Sequence, residues 1–533
     1  MKEILNLIKQ NNLLEASEEE LKSLEHNGTG PSGGNRVVGA PGSGSMGGEL
    51  YLSSLRKTDG VLYGVGRSRG EKLFFAVVPE ENKASLPDSS AGLEGETVSG
   101  QGLIGLSGEF SWKNYCFLRE RFPFTAPVSL RDKKTTIGTG DRLGLATPGH
   151  IRAIEPYDAY PVFAQQSIRE LNLTGRNYKQ VVADAAFHVF QEGFERGYGA
   201  DGDHLKTIED IDTALEAGMP MITLDLTEVM APQYQTSSEA ELDEQFSGFD
   251  EEVRKLILNT YAGKRYSVGE DGETEIVLTD LEAKRCSLMY WNALEFAEKV
   301  DRHLSSKRGD KYDLEISIDE TTAPTLPAHH LFIIKELNRR GVTVNSIAPR
   351  FIGEFQKGID YIGDLEQFDK QFKIHADIAR KNGNYKISIH SGSDKFSVYP
   401  SIGTHTGCRV HLKTAGTSWL EAVKTIALTN PSLYRKIHSK AFDYFEEATK
   451  QYHVTTDTDS IPRLEDFDDA SLVQFFDDDN ARQLIHITYG SLLGDPEIRD
   501  RFFDTLSREE DTHYRTVSEH IGRHIRELGV PRG

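Results

Sequence analysis

Two histidines in the last third of the chain occupy polar positions within short aliphatic runs. His390 ends the segment Tyr-Lys-Ile-Ser-Ile-His, and His411 lies in the segment Arg-Val-His-Leu-Lys. Successive side chains of a β-strand take opposite faces, so each histidine lies opposite its aliphatic neighbours. If the aliphatic faces pack against outer helices, both imidazoles point inwards from adjacent strands. Two converging imidazoles are suitable ligands for a divalent metal ion.

A third candidate is the run Asp-Gly-Asp-His-Leu-Lys at residues 201–206. Its two aspartates share one strand face, and the alternation relaxes where a strand ends. Asp203 and His204 could then both reach one pocket. The alternative is a capped helix start or a solvated turn, since Thr207 is followed by two acidic residues.

Two adjacent carboxylates form the fourth candidate, in the segment Ile-Asp-Glu-Thr-Thr at residues 318–322. Strand alternation directs the side chain of Asp319 inwards, and Glu320 is the residue that follows it. A carboxylate at this point can be a metal ligand or a proton donor. Alternation does not decide which residue takes which role.

Positively charged residues also follow the predicted strands, among them Arg350 and Lys413. Cations at strand ends in an otherwise acidic chain indicate an anionic substrate group, and arginine suits bidentate binding of a carboxylate. The alternative is that each cation pairs with a neighbouring Asp or Glu. We nominate Arg350 and Lys413 as ligands of a substrate carboxylate.

Eight short β-like runs carry these polar clusters at their ends, and helical patterns lie between several of them. The runs span residues 135–144, 161–167, 197–207, 221–227, 313–321, 342–350, 385–393 and 409–416. This alternation predicts an α/β fold, a (β/α)₈ TIM-type barrel, in which the chemistry lies at the carboxyl ends of the strands. The alternative is that strand ends are polar in any protein.

The distribution of strand-like and helical patterns along the chain predicts three regions. Residues 1–130 form an N-terminal β-rich appendage with a flexible Gly/Ser-rich segment at 28–48, and residues 131–430 form the barrel. About 228–310 is too long for one connection and is predicted to be a helical insertion. Residues 431–533 are predicted to be a helical C-terminal extension packed on the barrel.

The composition of the chain argues against several classes of protein. The 533 residues include 83 acidic and 61 basic side chains, for a formal charge of −22, which argues against binding to nucleic acid or to anionic membranes. Three scattered cysteines exclude a disulfide scaffold or a zinc ribbon. We find no signal peptide and no run of ~18 apolar residues, so we expect a soluble cytoplasmic protein.

Several segments together resemble the tagaturonate epimerase family. They include GDRLGLATPGHI (140–151), AQQSIREL (164–171), ADGDHLKTIEDI (200–211), IDETTAPT (318–325), ISIHSGSDKFSVYP (387–400) and HLKTAGTSWLEA (411–422). The resemblance is collinear from about residue 135 and much weaker over the first 130 residues. It implies a metal-dependent (β/α)₈ enzyme of bacterial uronate catabolism that interconverts D-tagaturonate and D-fructuronate.

The resemblance also implies roles for particular residues. Asp203 would be the proton acceptor and Glu320 the proton donor, while His204, His390 and His411 would bind the metal. A thiolate-free, histidine-rich ligand set admits Zn, Mn, Co, Ni or Fe. We expect a small sugar-acid substrate, and the sequence leaves the oligomeric state open, a homo-oligomer included.

Two routes and two other functions stay open at this point. Retro-aldol cleavage is favoured, and direct deprotonation followed by reprotonation is the rival. The chain could instead be another metal-dependent sugar-acid isomerase, or a non-catalytic sugar-acid binding protein. The three histidines together with Asp203 and Glu320 argue against the latter.

Overall fold

The structure is a computed structural model that describes residues 1–24, 36–38, 48–87, 89–269, 272, 274–321 and 323–533. Most of the predicted Gly/Ser-rich segment at 28–48 lies outside the described residues. We number helices and strands in chain order. No helix in the described ranges is both long enough and apolar enough to cross a lipid bilayer.

The N-terminal region is an antiparallel sheet with one helix layer on its outer face. Its strands are β1 (Arg36–Val38), β2 (Glu49–Thr58), β3 (Val61–Ser68), β4 (Glu71–Pro79), β5 (Glu96–Gly100) and β6 (Leu103–Gly108), in the order β1-β2-β3-β4-β6-β5. Its helices are α1 (Lys2–Gln10), α2 (Glu18–Leu24) and α3 (Trp112–Arg121). Helix α1 buries Ile4, Leu5 and Ile8 against this sheet. The appendage is therefore β-rich, as predicted.

The first half of the barrel follows directly. Its strands are β7 (Thr135–Gly138), β8 (Tyr160–Ser167), β9 (Gly199–Leu205) and β10 (Met221–Asp225). Its helices are α4 (Thr147–Ile154), α5 (Ile168–Thr174), α6 (Tyr178–Glu192) and α7 (Ile208–Glu216). On α6, Phe187 and Phe190 pack against Phe74 of the N-terminal sheet, which joins that sheet to the barrel.

The insertion after β10 contains the predicted helices and an unpredicted hairpin. It consists of α8 (Glu239–Phe246), α9 (Glu251–Tyr261), β11 (Lys264–Val268), β12 (Thr274–Leu278) and α10 (Asp280–Arg308). Within the ranges that the structure describes, strands β11 and β12 pair with each other and with no other strand. The expectation of a purely helical insertion was therefore incomplete, because this short, partly exposed ribbon resembles a polar loop in the sequence.

The second half completes the predicted barrel. Its strands are β13 (Asp313–Ile318), β14 (Ser346–Pro349), β15 (Lys386–Ile389) and β16 (Val410–Lys413), and its helices are α11 (Pro327–Arg339), α12 (Leu365–Lys381), α13 (Tyr399–Thr406) and α14 (Thr417–Thr429). All eight barrel strands are parallel and close in the order β10-β13-β14-β15-β16-β7-β8-β9. Strand β7 thus lies directly across the ring from β13.

The C-terminal region is helical, as predicted. It comprises α15 (Pro431–Ala448), α16 (Asp479–Ile487), α17 (Tyr489–Gly494), α18 (Pro496–Arg508) and α19 (Glu510–Glu527). Trp419 of α14 and Phe502 of α18 stack inside an apolar core that α14 shares with this region. The shared core holds α16 beside the mouth of the barrel, where His486 of α16 lines a cavity.

Candidate metal and catalytic site at the barrel mouth

A buried lysine and three carboxylates occupy the centre of the barrel. Lys413 Nζ on β16 lies 3.0 Å from Asp201 Oδ2, 2.7 Å from Asp203 Oδ1 and 2.9 Å from Glu315 Oε1. It also donates a hydrogen bond to Thr223 Oγ1 at 2.6 Å. We call Asp201, Asp203, Glu315 and Lys413 the central ion cluster.

This cluster fixes the charge states of its members. Burial disfavours the ammonium of Lys413, but the three carboxylates outweigh burial and raise its pKa well above the usual value. Burial also raises the pKa of Asp201 to about 6, helped by the neighbouring carboxylates and opposed by Lys413. Burial acts on Asp203 too, yet Lys413 and His204 hold its pKa well below the usual range. Asp203 is therefore ionised, and its side chain lines the cavity.

The surroundings of His390 favour a cation beside its ring. His390 Nε2 donates a hydrogen bond to Glu315 Oε1 at 2.7 Å, which leaves a lone pair on Nδ1 of the neutral ring. Nδ1 lies 3.0 Å from Asp319 Oδ1, and that carboxylate is itself held by Ser317 at 2.6 Å. Two lone pairs at this separation repel unless a proton or a metal ion lies between them. The carboxylates accordingly outweigh burial and raise the pKa of His390 to about 10.

His204 completes a set of three metal-type ligands. Its backbone has φ 55°, a left-handed conformation that is uncommon outside glycine and turns the chain at the end of β9. Asp203 and His204 thereby reach the same cavity, as the sequence predicted. Ligand atoms of His204, Asp319 and His390 all lie within 4.8 Å of one another. We call these three residues the cation site.

The cation site fits a divalent metal on two observations. Nδ1 of His204 and Nδ1 of His390 are buried without a hydrogen-bond partner among the described residues. Two imidazole nitrogens and one carboxylate oxygen suit Zn, Mn, Co, Ni or Fe. The hydrogen bond from His390 to Glu315 is the outer carboxylate contact that orients metal-binding histidines.

His411, the third predicted metal ligand, is not part of this group. Its Nδ1 lies 2.9 Å from Thr136 Oγ1, while its Nε2 is buried without a partner among the described residues. Burial lowers the pKa of His411 to about 3, so its ring is neutral. Its role as a metal ligand stays a prediction.

Asp319 and Glu320 point to different surroundings. Glu320 lies at the cavity rim with its side chain 38% exposed, 3.4 Å from Arg169 Nη2. It also offers an oxygen within 4.8 Å of His204 and Asp225 ligand atoms. Asp319 thus belongs to the buried group with His204 and His390, whereas Glu320 lies at the rim in an ion pair with Arg169.

The two nominated substrate-binding cations lie at the cavity but are already engaged. The Arg350 guanidinium donates to Thr321 O and lies 3.6 Å from Glu354. Lys413 already contacts three carboxylates of the protein, so there is no physical reason for it to bind a substrate carboxylate as well. The geometry instead assigns Lys413 to the central ion cluster.

The cavity has a volume of about 310 Å³ and includes residues that the sequence patterns did not single out. Among them are Lys357 of the loop after β14 and His486 of α16, whereas Gln165 of β8 belongs to the polar residues predicted at the end of its strand. Asp201 was identified on the strand face of Asp203, but its contact with Lys413 was not predicted. Glu315 was missed, although it shares its strand face with Asp319. The alternation of side chains along the strand could therefore have identified Glu315. No such alternation applies to a loop residue such as Lys357.

The sequence and the fold of this chain are both similar to those of known proteins. Residues 51–528 match the sequence model of a family described as UxaE, tagaturonate epimerase. The Tagaturonate/fructuronate epimerase of Thermotoga maritima is 41% identical over 483 residues, which cover 90% of this chain and 96% of the relative.

Crystal structures of the fructuronate-tagaturonate epimerase UxaE from Cohnella laeviribosi are also similar. The structure complexed with one glycerol has a TM-score of 0.85 and 43% identity. The native structure has a TM-score of 0.84 and 43% identity. Each covers 90% of this chain and 96% of the other.

Proposed function

Because the chain belongs to the tagaturonate epimerase family and is an isomerase, we propose that it interconverts D-tagaturonate and D-fructuronate with a bound divalent cation. The observation that carries the proposed cation is the convergence of His204, Asp319 and His390, whose ligand atoms all lie within 4.8 Å of one another. Asp203, the proposed base, lines the same cavity. We also propose a cytoplasmic location, which the three unpaired cysteines support.

The substrate chemistry favours carbon–carbon bond cleavage. The two ketouronates differ at a carbinol carbon one position beyond the carbon next to the ketone. The hydrogen on that carbinol carbon is not activated by the ketone, so simple proton exchange is difficult. Retro-aldol cleavage avoids this difficulty because it breaks the bond between the carbinol carbon and its neighbour.

The residues of the chain supply the proton transfers. Asp203 accepts the proton of the carbinol hydroxyl, the hydroxyl oxygen forms an aldehyde, and the electrons of the broken bond enter an enediolate. The aldehyde then rotates, the bond re-forms on its other face, and Glu320 donates its proton to the new alkoxide. Asp203 afterwards releases to solvent the proton that it took, and Glu320 takes one up, which restores both residues. A divalent cation held by His204, Asp319 and His390 would act as a Lewis acid toward the substrate oxygens.

Rival assignments differ in measurable ways. Deprotonation and reprotonation of the carbinol carbon between Asp203 and Glu320 is the alternative route. An aldose–ketose isomerase would use the same groups on galacturonate or glucuronate. A binding protein would leave every substrate unchanged.

One conversion in D₂O tests the function and the route together. We expect the purified protein to convert D-tagaturonate to D-fructuronate while leaving galacturonate and glucuronate unchanged. We expect no deuterium on the epimerised carbon, because retro-aldol cleavage never breaks that C–H bond. Mass spectrometry and NMR of the product measure both results. Inert ketouronates would contradict the function, and deuterium on that carbon would contradict the route.

A further inference from the structure

One cation of the cavity wall differs from the others. Five Lys and Arg side chains line the cavity, and four of them have a carboxylate oxygen within 4 Å. These pairs are Arg142–Glu170 (2.7 Å), Arg169–Glu320 (3.4 Å), Arg350–Glu354 (3.6 Å) and Lys413–Asp203 (2.7 Å). Lys357 is the fifth, and within the described part of the chain it has no such partner.

The electrostatic surroundings of Lys357 favour an added anion. Burial lowers the pKa of Lys357, and the nearby guanidinium groups of Arg142 and Arg169 lower it further. The carboxylates of Glu170 and Asp203 oppose that shift, so Lys357 lies within electrostatic reach of the proposed base. A ligand carboxylate beside Lys357 would relieve the cost of burying this charge.

Two neutral polar side chains of the same cavity also lack partners. Gln165 and His486 are each 1% exposed, and neither the amide of Gln165 nor the ring nitrogens of His486 have a hydrogen-bond partner among the described residues. Glycines make room for both: a Cβ at Gly138 would collide with Gln165, and one at Gly416 with His486. Buried polar groups are normally hydrogen-bonded, so these two indicate a polar ligand.

These groups line the same cavity as the three residues of the cation site. Gln165 comes from β8, which lies three strands from β13 in the ring and beside β9, and His486 comes from α16, whereas Asp319 follows β13. A sugar acid in this cavity can therefore present its hydroxyls to the cation site and its carboxylate to Lys357, Gln165 and His486.

We propose that Lys357, Gln165 and His486 form the subsite that binds the carboxylate end of the sugar acid. Lys357 is the counterion of the carboxylate, and the other two side chains hydrogen-bond its oxygens or the adjacent hydroxyl. This assignment rests on the proposed sugar-acid substrate, and it replaces Arg350 and Lys413 in that role.

The variant Lys357→Met tests the subsite by kinetics. We expect the KM for the ketouronates to rise about 10- to 100-fold, as for the loss of a charged hydrogen bond, with kcat changed far less. Lys357→Arg should restore most of the affinity, because it keeps the charge. Metal content and the thermal midpoint should equal those of the wild type, which excludes a folding defect. Arg350→Met is the competing variant and should raise KM less than Lys357→Met does.

An unchanged KM in Lys357→Met, an equal failure of Lys357→Arg, or a larger effect of Arg350→Met would overturn the subsite. Calorimetry with D-gluconate, an unreactive sugar acid, separates this proposal from the proposed function. Gluconate binding that depends on Lys357 in a protein without epimerase activity would support the subsite and reject the function. Epimerase activity with a KM that does not change in Lys357→Met would support the function and reject the subsite.

Discussion

Replacing Asp319 by Asn is expected to remove the bound cation and to lower epimerase activity about 10³-fold. The Asp319 carboxylate lies 3.0 Å from His390 Nδ1 and supplies the negative charge of the cation site. An amide of the same size keeps the packing but loses that charge. Metal analysis of the purified variant, together with its kcat, measures the two losses.

Glu320→Gln is the matched comparison for this experiment. Glu320 is the neighbouring residue at the cavity rim, and we propose it as an acid–base group. Its loss should lower kcat about 10²-fold or more while the metal content stays at the wild-type level. Retention of metal by Asp319→Asn, combined with its loss from Glu320→Gln, would reverse the two assignments.

Replacing Lys413 by Met is expected to lower the free energy of unfolding by about 3–5 kcal/mol, because it leaves buried carboxylates without their counterion. Three carboxylate oxygens lie within 3.0 Å of Lys413 Nζ. Activity should fall as well, since Lys413 helps to keep Asp203 ionised. Chemical denaturation and the thermal midpoint measure the stability change.

The pH dependence of this defect has a definite sign. Without Lys413, the folded-state pKa values of the three carboxyls rise above their unfolded values, and that of Asp201 is already about 6. Such groups bind protons more tightly in the folded state, so stability is lost as pH rises from about 4 through the folded pKa. The difference between wild type and Lys413→Met should therefore be small near pH 4 and largest at neutral pH.

Lys386→Met is the control, since Lys386 is a second buried lysine of the barrel interior, on the neighbouring strand β15. Burial lowers the pKa of Lys386 to about 8, and its Nζ donates only to Thr136 Oγ1 and Leu130 O among the hydrogen bonds of the described residues. Its loss should cost little stability. Equal effects of the two substitutions would contradict the role given to Lys413.

The barrel was predictable because its signals are local. Each strand is a short aliphatic run that ends in polar residues, and helical patterns lie between several of these runs. The hairpin of β11 and β12 gave no such signal, because its strands are short and partly exposed, and among the described strands each pairs with the other alone.

The candidate site was predictable in part for the same reason. Alternation identified the inward face of strand residues, which placed His390 and Asp319 correctly at the mouth. It could not show that Lys413 is surrounded by carboxylates, because Asp201 and Glu315 are distant in sequence. It also could not separate His411 from the other histidines, since a shared face does not specify which ring atoms meet. Lys357 lies in a loop, where side-chain direction follows no period.

The proposed chemistry depends on one divalent cation that His204, Asp319 and His390 hold beside Asp203. Anomalous X-ray scattering from crystals of the active wild-type enzyme, recorded at the absorption edge of the metal found by elemental analysis, tests it most directly. We predict one strong peak between these three side chains, which disappears together with activity after treatment with a chelator. An active crystal without this peak, or with its metal bound elsewhere, would contradict this assignment.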